Sequence, residues 1–201
     1  MSQEASQKVN HVLSNFGRSP LHNTSLSASL DAAPGIVLAM TIDALIKARS
    51  ISHELTQRTI KKLIKAGYHD INILKNSSWE DRVSVLANGG YSRHREQCAT
   101  NLGGWQSLFR INMVSLCSSS GLAITYISWR FFFNNVESVW PCIAPFIDSR
   151  SLKTAVDVGI GEDLPYIYSV LKEDPARMSW FANGLSEVRL EKKQDLISDV
   201  M

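Results

Sequence analysis

The stretch Pro34-Gly35-Ile36-Val37-Leu38-Ala39-Met40-Thr41-Ile42-Asp43-Ala44-Leu45-Ile46-Lys47-Ala48 decides the reading of this chain. From Ile36 to Ala48 nearly every face of a helix is apolar. A surface helix keeps one polar side, so this pattern predicts a central helix buried all round. Pro34 suits the first turn, where its missing N–H costs nothing. The apolar run is too short to cross a bilayer, which takes ~18 residues or more, and Asp43 and Lys47 interrupt it.

Amphipathic helices are predicted on the C-terminal side. Ser52 caps a helix running to Ala66, with Gly67 as its left-handed stop. Its inward stripe is Leu55, Ile60, Leu63 and Ile64, and its outward face carries Arg58, Lys61, Lys62 and Lys65. A turn at Asp70–Leu74 follows. Ser77 with Glu80 has capping-box spacing and predicts a helix over Trp79–Ala87, ended by Asn88-Gly89-Gly90. Tyr91 opens a longer helix with Cys98, Leu102, Trp105 and Phe109 inside. Residues 111–126 carry Cys117-Ser118-Ser119-Ser120-Gly121 and no helical period, so they are expected to be the least ordered part of the interior. Trp129, Phe132, Phe133, Val136, Val139 and Trp140 restore a helical stripe, ended by Pro141. Asp148 caps the next helix, with Leu152, Ala155 and Val156 inward and Gly159 as its stop. Asp163 starts another helix, with Leu164, Ile167, Tyr168 and Leu171 inside. Asp174-Pro175 starts a last one, with Met178, Phe181, Ala182 and Leu185 inside. No window alternates like a strand. The expectation is an all-α domain over residues 34–190. Residues 1–33, rich in Ser, Asn and Gln, read as a flexible arm with at most a weak helix at Lys8–Asn15. Residues 191–201 read as a charged, fraying tail.

Of the 201 residues 44% are apolar and 20% charged, ordinary chemistry for a packed domain. Net charge is +2, which permits nucleic-acid binding without demanding it. The three cysteines, Cys98, Cys117 and Cys142, are an odd number behind a polar N-terminus. They point to free thiols inside a cell, with no membrane partner. No CxxC pair occurs, so neither a metal nor a cofactor is expected. Oligomeric state is not legible.

Three phrases carry a family resemblance. The first runs from Ile42-Asp43-Ala44-Leu45 to Ile51-Ser52. The second joins Ala66-Gly67-Tyr68-His69-Asp70, Trp79-Glu80-Asp81-Arg82-Val83 and Gly89-Gly90-Tyr91-Ser92-Arg93. The third joins Phe132-Phe133-Asn134-Asn135-Val136-Glu137-Ser138-Val139-Trp140-Pro141 and Pro145-Phe146-Ile147-Asp148. Together, over roughly residues 34–109 and 129–190, they resemble the endonuclease III-like branch of the helix-hairpin-helix DNA glycosylase superfamily. The resemblance implies a glycosylase-like helical domain, a role in base excision repair, DNA as partner and, in a eukaryote, a nuclear location.

It also implies a chemistry. Cleaving an N-glycosidic bond passes through a transition state with positive charge on the sugar, which a fixed carboxylate stabilises. In the family that aspartate follows a phrase like Pro145-Phe146-Ile147-Asp148, so Asp148 is the catalytic candidate. A plain helix cap would look the same in sequence. The family grips DNA with a glycine-rich hairpin whose backbone N–H groups hold a phosphate. Here the corresponding stretch, Ser120–Ile127, has Gly121 as its one glycine, which leaves the domain incomplete. There is no lysine between Lys75 and Lys153. A Schiff-base lyase reaction is therefore not expected, and the activity implied is that of a monofunctional N-glycosylase. No cysteine follows residue 180, so the iron–sulfur cluster of the larger enzymes is not expected. Asn134 and Asn135 stand where the family carries a charged pair. Arg93, His94 and Arg95 form a small basic patch suited to phosphates, or simply a solvated face. His69 beside Asp70 reads as a turn before it reads as a catalytic pair. The alternatives are a non-catalytic helical binding module and an incomplete gene product, in which Val114–Ser128 is extraneous sequence replacing the hairpin. DNA binding is expected to be weak on any of these readings.

Overall fold

The computed structural model describes residues 3–27, 33–47, 51–108, 135, 137–139 and 144–198, with the backbone alone for 105–108. Every regular element among them is a helix: α1 Gln3–Phe16, α2 Pro34–Lys47, α3 His53–Lys65, α4 Ile71–Asn76, α5 Trp79–Asn88, α6 Arg95–Leu108, α7 Ser149–Asp157, α8 Leu164–Val170, α9 Pro175–Leu190 and α10 Asp195–Ser198. None is long and apolar enough to cross a membrane. The least ordered interior stretch expected at 111–126, and the stripe from Trp129 to Phe133, lie outside the described residues.

α2 behaves as its composition demands. Residues 36–44 and Ile46 are all buried. Thr41 is accommodated because its hydroxyl donates to Val37 O at 2.8 Å. Around α2 gather Ile60, Leu63 and Ile64 of α3, Leu74 of α4, Leu86 of α5, and Cys98, Ala99 and Leu102 of α6. They form one hydrophobic cluster.

A second cluster is built from the two ends of the chain. Val9, Val12 and Phe16 of α1 pack with Ala155 of α7, Ile167 of α8, Met178, Phe181, Ala182, Leu185 and Val188 of α9, and Ile197 of α10. Residues 3–16, expected to be mobile, are thus an amphipathic helix burying Ala5, Val9, Val12 and Phe16. The tail does not simply fray, because Ile197 is fully buried. α1 and α9 touch backbone to backbone. A Cβ at Gly184 would lie 3.0 Å from the Phe16 carbonyl, so only glycine lets the helices approach this closely.

Capping explains most element boundaries. Ser52 accepts Leu55 N–H at 3.3 Å to start α3, and Gly67, at φ +81°, ends it in the left-handed region. The turn expected at 70–74 is the short helix α4. Asp70 caps it, accepting Asn72 N–H at 2.7 Å. The expected Ser77/Glu80 box sits one residue later, at Ser78 and Asp81. The Ser77 hydroxyl is already committed to Leu74 O, at 2.7 Å, closing α4. The buried Arg82 guanidinium then fastens the junction, donating to Ala99 O at 3.0 Å and Ser77 O at 2.9 Å. Gly103 leaves room for it, since a Cβ there would lie 2.7 Å from Arg82 Nη2.

Candidate functional site

The candidate site lies at the start of α7. Asp148 is the N-cap, with extended φ and ψ of −66° and 152°. Its Oδ1 accepts the N–H groups of Arg150 at 3.0 Å and Ser151 at 3.3 Å. Its Oδ2 accepts the Ser151 hydroxyl at 2.5 Å. Ser151 Oγ lies 2.9 Å from Ser186 Oγ on α9. Asp148 is 3% exposed. The inward face of α7 is Ser151, Thr154, Ala155 and Val158, whereas Val156, expected inside, is 47% exposed. Both inward hydroxyls have partners: Ser151 meets Asp148 and Ser186, and Thr154 donates to Arg150 O at 3.0 Å within the helix.

The Arg189 guanidinium of α9 lies within electrostatic reach of the carboxyl group. Burial holds Arg189 below its usual pKa; Asp148 opposes that shift and Arg150 adds to it. Arg189 Nε is buried and has no hydrogen-bond partner. Asp148 thus accepts three donors, which hold its carboxyl group in one orientation.

Just upstream is a carboxyl group that sequence reasoning left unassigned. Glu137 is fully buried. Its Oε1 accepts Phe146 N–H at 2.7 Å, which ties down the segment leading to Asp148. Its Oε2 has no partner. Burial pushes its pKa up to about 8, opposed by the Phe146 hydrogen bond. Its sequence gave little warning, a glutamate between Val136 and Val139 in a stretch otherwise read for its apolar stripe. Asn135, read only as a departure from the family's charged pair, binds α2 instead. Its amide donates to Asp43 Oδ2 at 2.9 Å and Met40 O at 3.3 Å, and Lys47 completes the group 2.7 Å from Asp43.

The other predicted residues lie elsewhere. Arg93 and His94 are exposed and Arg95 half-buried, in the connection from α5 into α6. Arg58, on the exposed face of α3, donates to Gly89 O at 3.0 Å and so borders that connection. The two basic faces of the sequence adjoin, but they belong to the α2–α6 cluster rather than to the Asp148 cluster. His69 and Asp70 form no catalytic pair. Asp70 caps α4, and His69 Nδ1 is buried without a hydrogen-bond partner. Gly121 lies outside the described residues. Among the described residues no three His, Cys, Asp or Glu side chains gather as a metal site. Comparison of the chain with protein-family models, curated proteins and solved structures finds no match.

His53, which is half-buried, and the buried Glu137 give folding a pH dependence. His53 packs between the clusters, 3.7 Å from Glu187 of α9, and Gln57 Nε2 lies 2.6 Å from its Nε2. Burial, helped by Lys47, lowers its pKa to about 4. The unfolded chain takes up this proton below about 6.5 and the folded chain does not, so stability falls as pH drops from there towards 4. Glu137 acts in the opposite sense. The folded chain keeps its proton up to about pH 8 while the unfolded chain loses it near 4.5, so stability falls as pH rises between them. The two slopes oppose each other at mildly acidic pH, and Glu187, whose pKa burial also raises, acts in the same sense as Glu137. Glu137→Gln, neutral at every pH, should melt like the wild type at pH 5 and be more stable by a few kcal/mol at pH 8.5. Thermal melts across that range test this, and coincident curves at pH 8.5 would refute it.

Proposed function

We propose that this chain is an endonuclease III-like DNA-repair protein acting in base excision as a monofunctional N-glycosylase. The observation that carries the reading is the Asp148 carboxylate. It follows the phrase Pro145-Phe146-Ile147, after which the family it resembles carries its aspartate, and three hydrogen bonds hold it in one orientation. Such a group stabilises the sugar cation as the N-glycosidic bond breaks. Arg150 and Arg189 would balance the phosphates flanking that sugar. No step of the reaction calls for a metal, a cofactor or a Schiff-base lysine. In a eukaryote the reading implies a nuclear location.

The experiment is base release from a panel of duplexes, each carrying one damaged base, under single-turnover conditions. Release without strand cleavage supports the reading. Failure on every lesion by folded protein would overturn it.

A second reading, a non-catalytic helical binding module, is favoured by the 3% exposure of Asp148 and by how fully capping employs its oxygens. Both readings share a prediction for DNA. The exposed Arg58, Lys61, Lys62 and Lys65 of α3, with Arg93 and His94, offer phosphate contacts and no base readout. Three or four neutralised phosphates would give log K a slope of about −3 against log salt, with affinity in the micromolar range or weaker. Fluorescence anisotropy at several salt concentrations measures this. Nanomolar binding to a single lesion at physiological salt would contradict it.

A further inference from the structure

The hydrogen bonds that start α7 exceed what a helix cap requires. A cap needs one side-chain oxygen facing the first N–H groups, and Asp148 Oδ1 already serves Arg150 and Ser151. The second oxygen, Oδ2, takes the Ser151 hydroxyl at 2.5 Å, and that hydroxyl lies 2.9 Å from Ser186 on α9. Ser151 is fully buried and Ser186 nearly so. The direction of the chain follows from chemistry. A carboxylate only accepts, so the Ser151 proton points to Asp148. Ser151 Oγ is then left to accept, and the Ser186 proton points to Ser151. Each bond polarises the next, so the outer hydroxyl strengthens the inner one. α9 is pinned to α1 by the close approach at Gly184 and buries most of its length in the second cluster, so Ser186 is a rigid reference point.

We infer that Ser186 is a positioning residue for Asp148, acting through Ser151 to lock the carboxylate in one rotamer. This rests on the proposed glycosylase reading for its use in catalysis, but the lock itself can be observed without activity. Arg189 on α9, one turn beyond Ser186, is a charged group within reach of Asp148, and it is not altered in the test.

The χ1 rotamer of Asp148, read from its three-bond NMR couplings, reports the lock directly. One rotamer should dominate in the wild type, and in Ser186→Ala the couplings should move towards rotamer averaging, further still in Ser151→Ala. Ser186→Thr, which keeps the hydroxyl, should follow the wild type. Base release should fall about threefold in Ser186→Ala and about tenfold in Ser151→Ala. Wild-type couplings in folded Ser186→Ala would overturn the inference even if the wild type releases base. Averaged couplings in a series where no protein releases base would uphold the lock and overturn the glycosylase reading.

Discussion

Asp148→Asn should fold as the wild type does and lose base release by about two to three orders of magnitude. Asparagine caps helices about as well as aspartate. Its Oδ1 can accept the Arg150 and Ser151 N–H groups, and its Nδ2 can donate to Ser151 Oγ. The hydroxyl pair then reverses, with Ser151 donating to Ser186. What disappears is the charge that, on the proposed function, stabilises the sugar cation, and that offsets the burial of Arg189. The change of cap should itself shift the melting transition by no more than about 1 kcal/mol, and any further loss reports the Arg189 interaction. Single-turnover base release and thermal melts on both proteins make the measurement. Undiminished release by a folded Asp148→Asn protein would remove Asp148 from the chemistry.

Leu38→Ala should cost ~2–5 kcal/mol of stability. Leu38 is 2% exposed at the middle of α2, a helix with neighbours on every side. Truncation removes apolar contacts, and the surrounding helices, fixed by their caps and by Arg82, have little freedom to close the space. Urea melts should show a lower midpoint with an unchanged slope, the sign of a stability change without a change in the unfolded chain. A loss below about 0.5 kcal/mol would show that α2 is not the rigid centre of its cluster.

These two sites differ in how far the residues alone disclosed them. α2 was legible because apolar side chains on all faces leave a helix nowhere else to go. The caps at Ser52, Asp148, Asp163 and Asp174 were legible because each side chain meets orphan N–H groups within its own turn. Local signals failed where a distant partner decided. Ala5, Val9, Val12 and Phe16 do recur at helical spacing, but the polar composition around them hid a stripe whose partner is α9, more than 150 residues away. Hydropathy put Val156 inside α7, yet Ser151 and Thr154 take that face, the first satisfied by Asp148 and Ser186 and the second by Arg150 O. A carboxyl such as Glu137, buried against the backbone of Phe146, leaves no mark in a hydropathy pattern at all.

The pairing of α1 with α9 bears on the order of events during synthesis. At roughly 5–20 residues per second, α1 leaves the ribosome some tens of seconds at most before α9 does. Throughout that interval Val9, Val12 and Phe16 lack the α9 side chains that cover them, while α2–α6 already hold most of their cluster partners and can assemble as they emerge. The first helix made is thus among the last to dock. Until it docks it exposes a short greasy stripe, of the kind that chaperones bind on nascent chains.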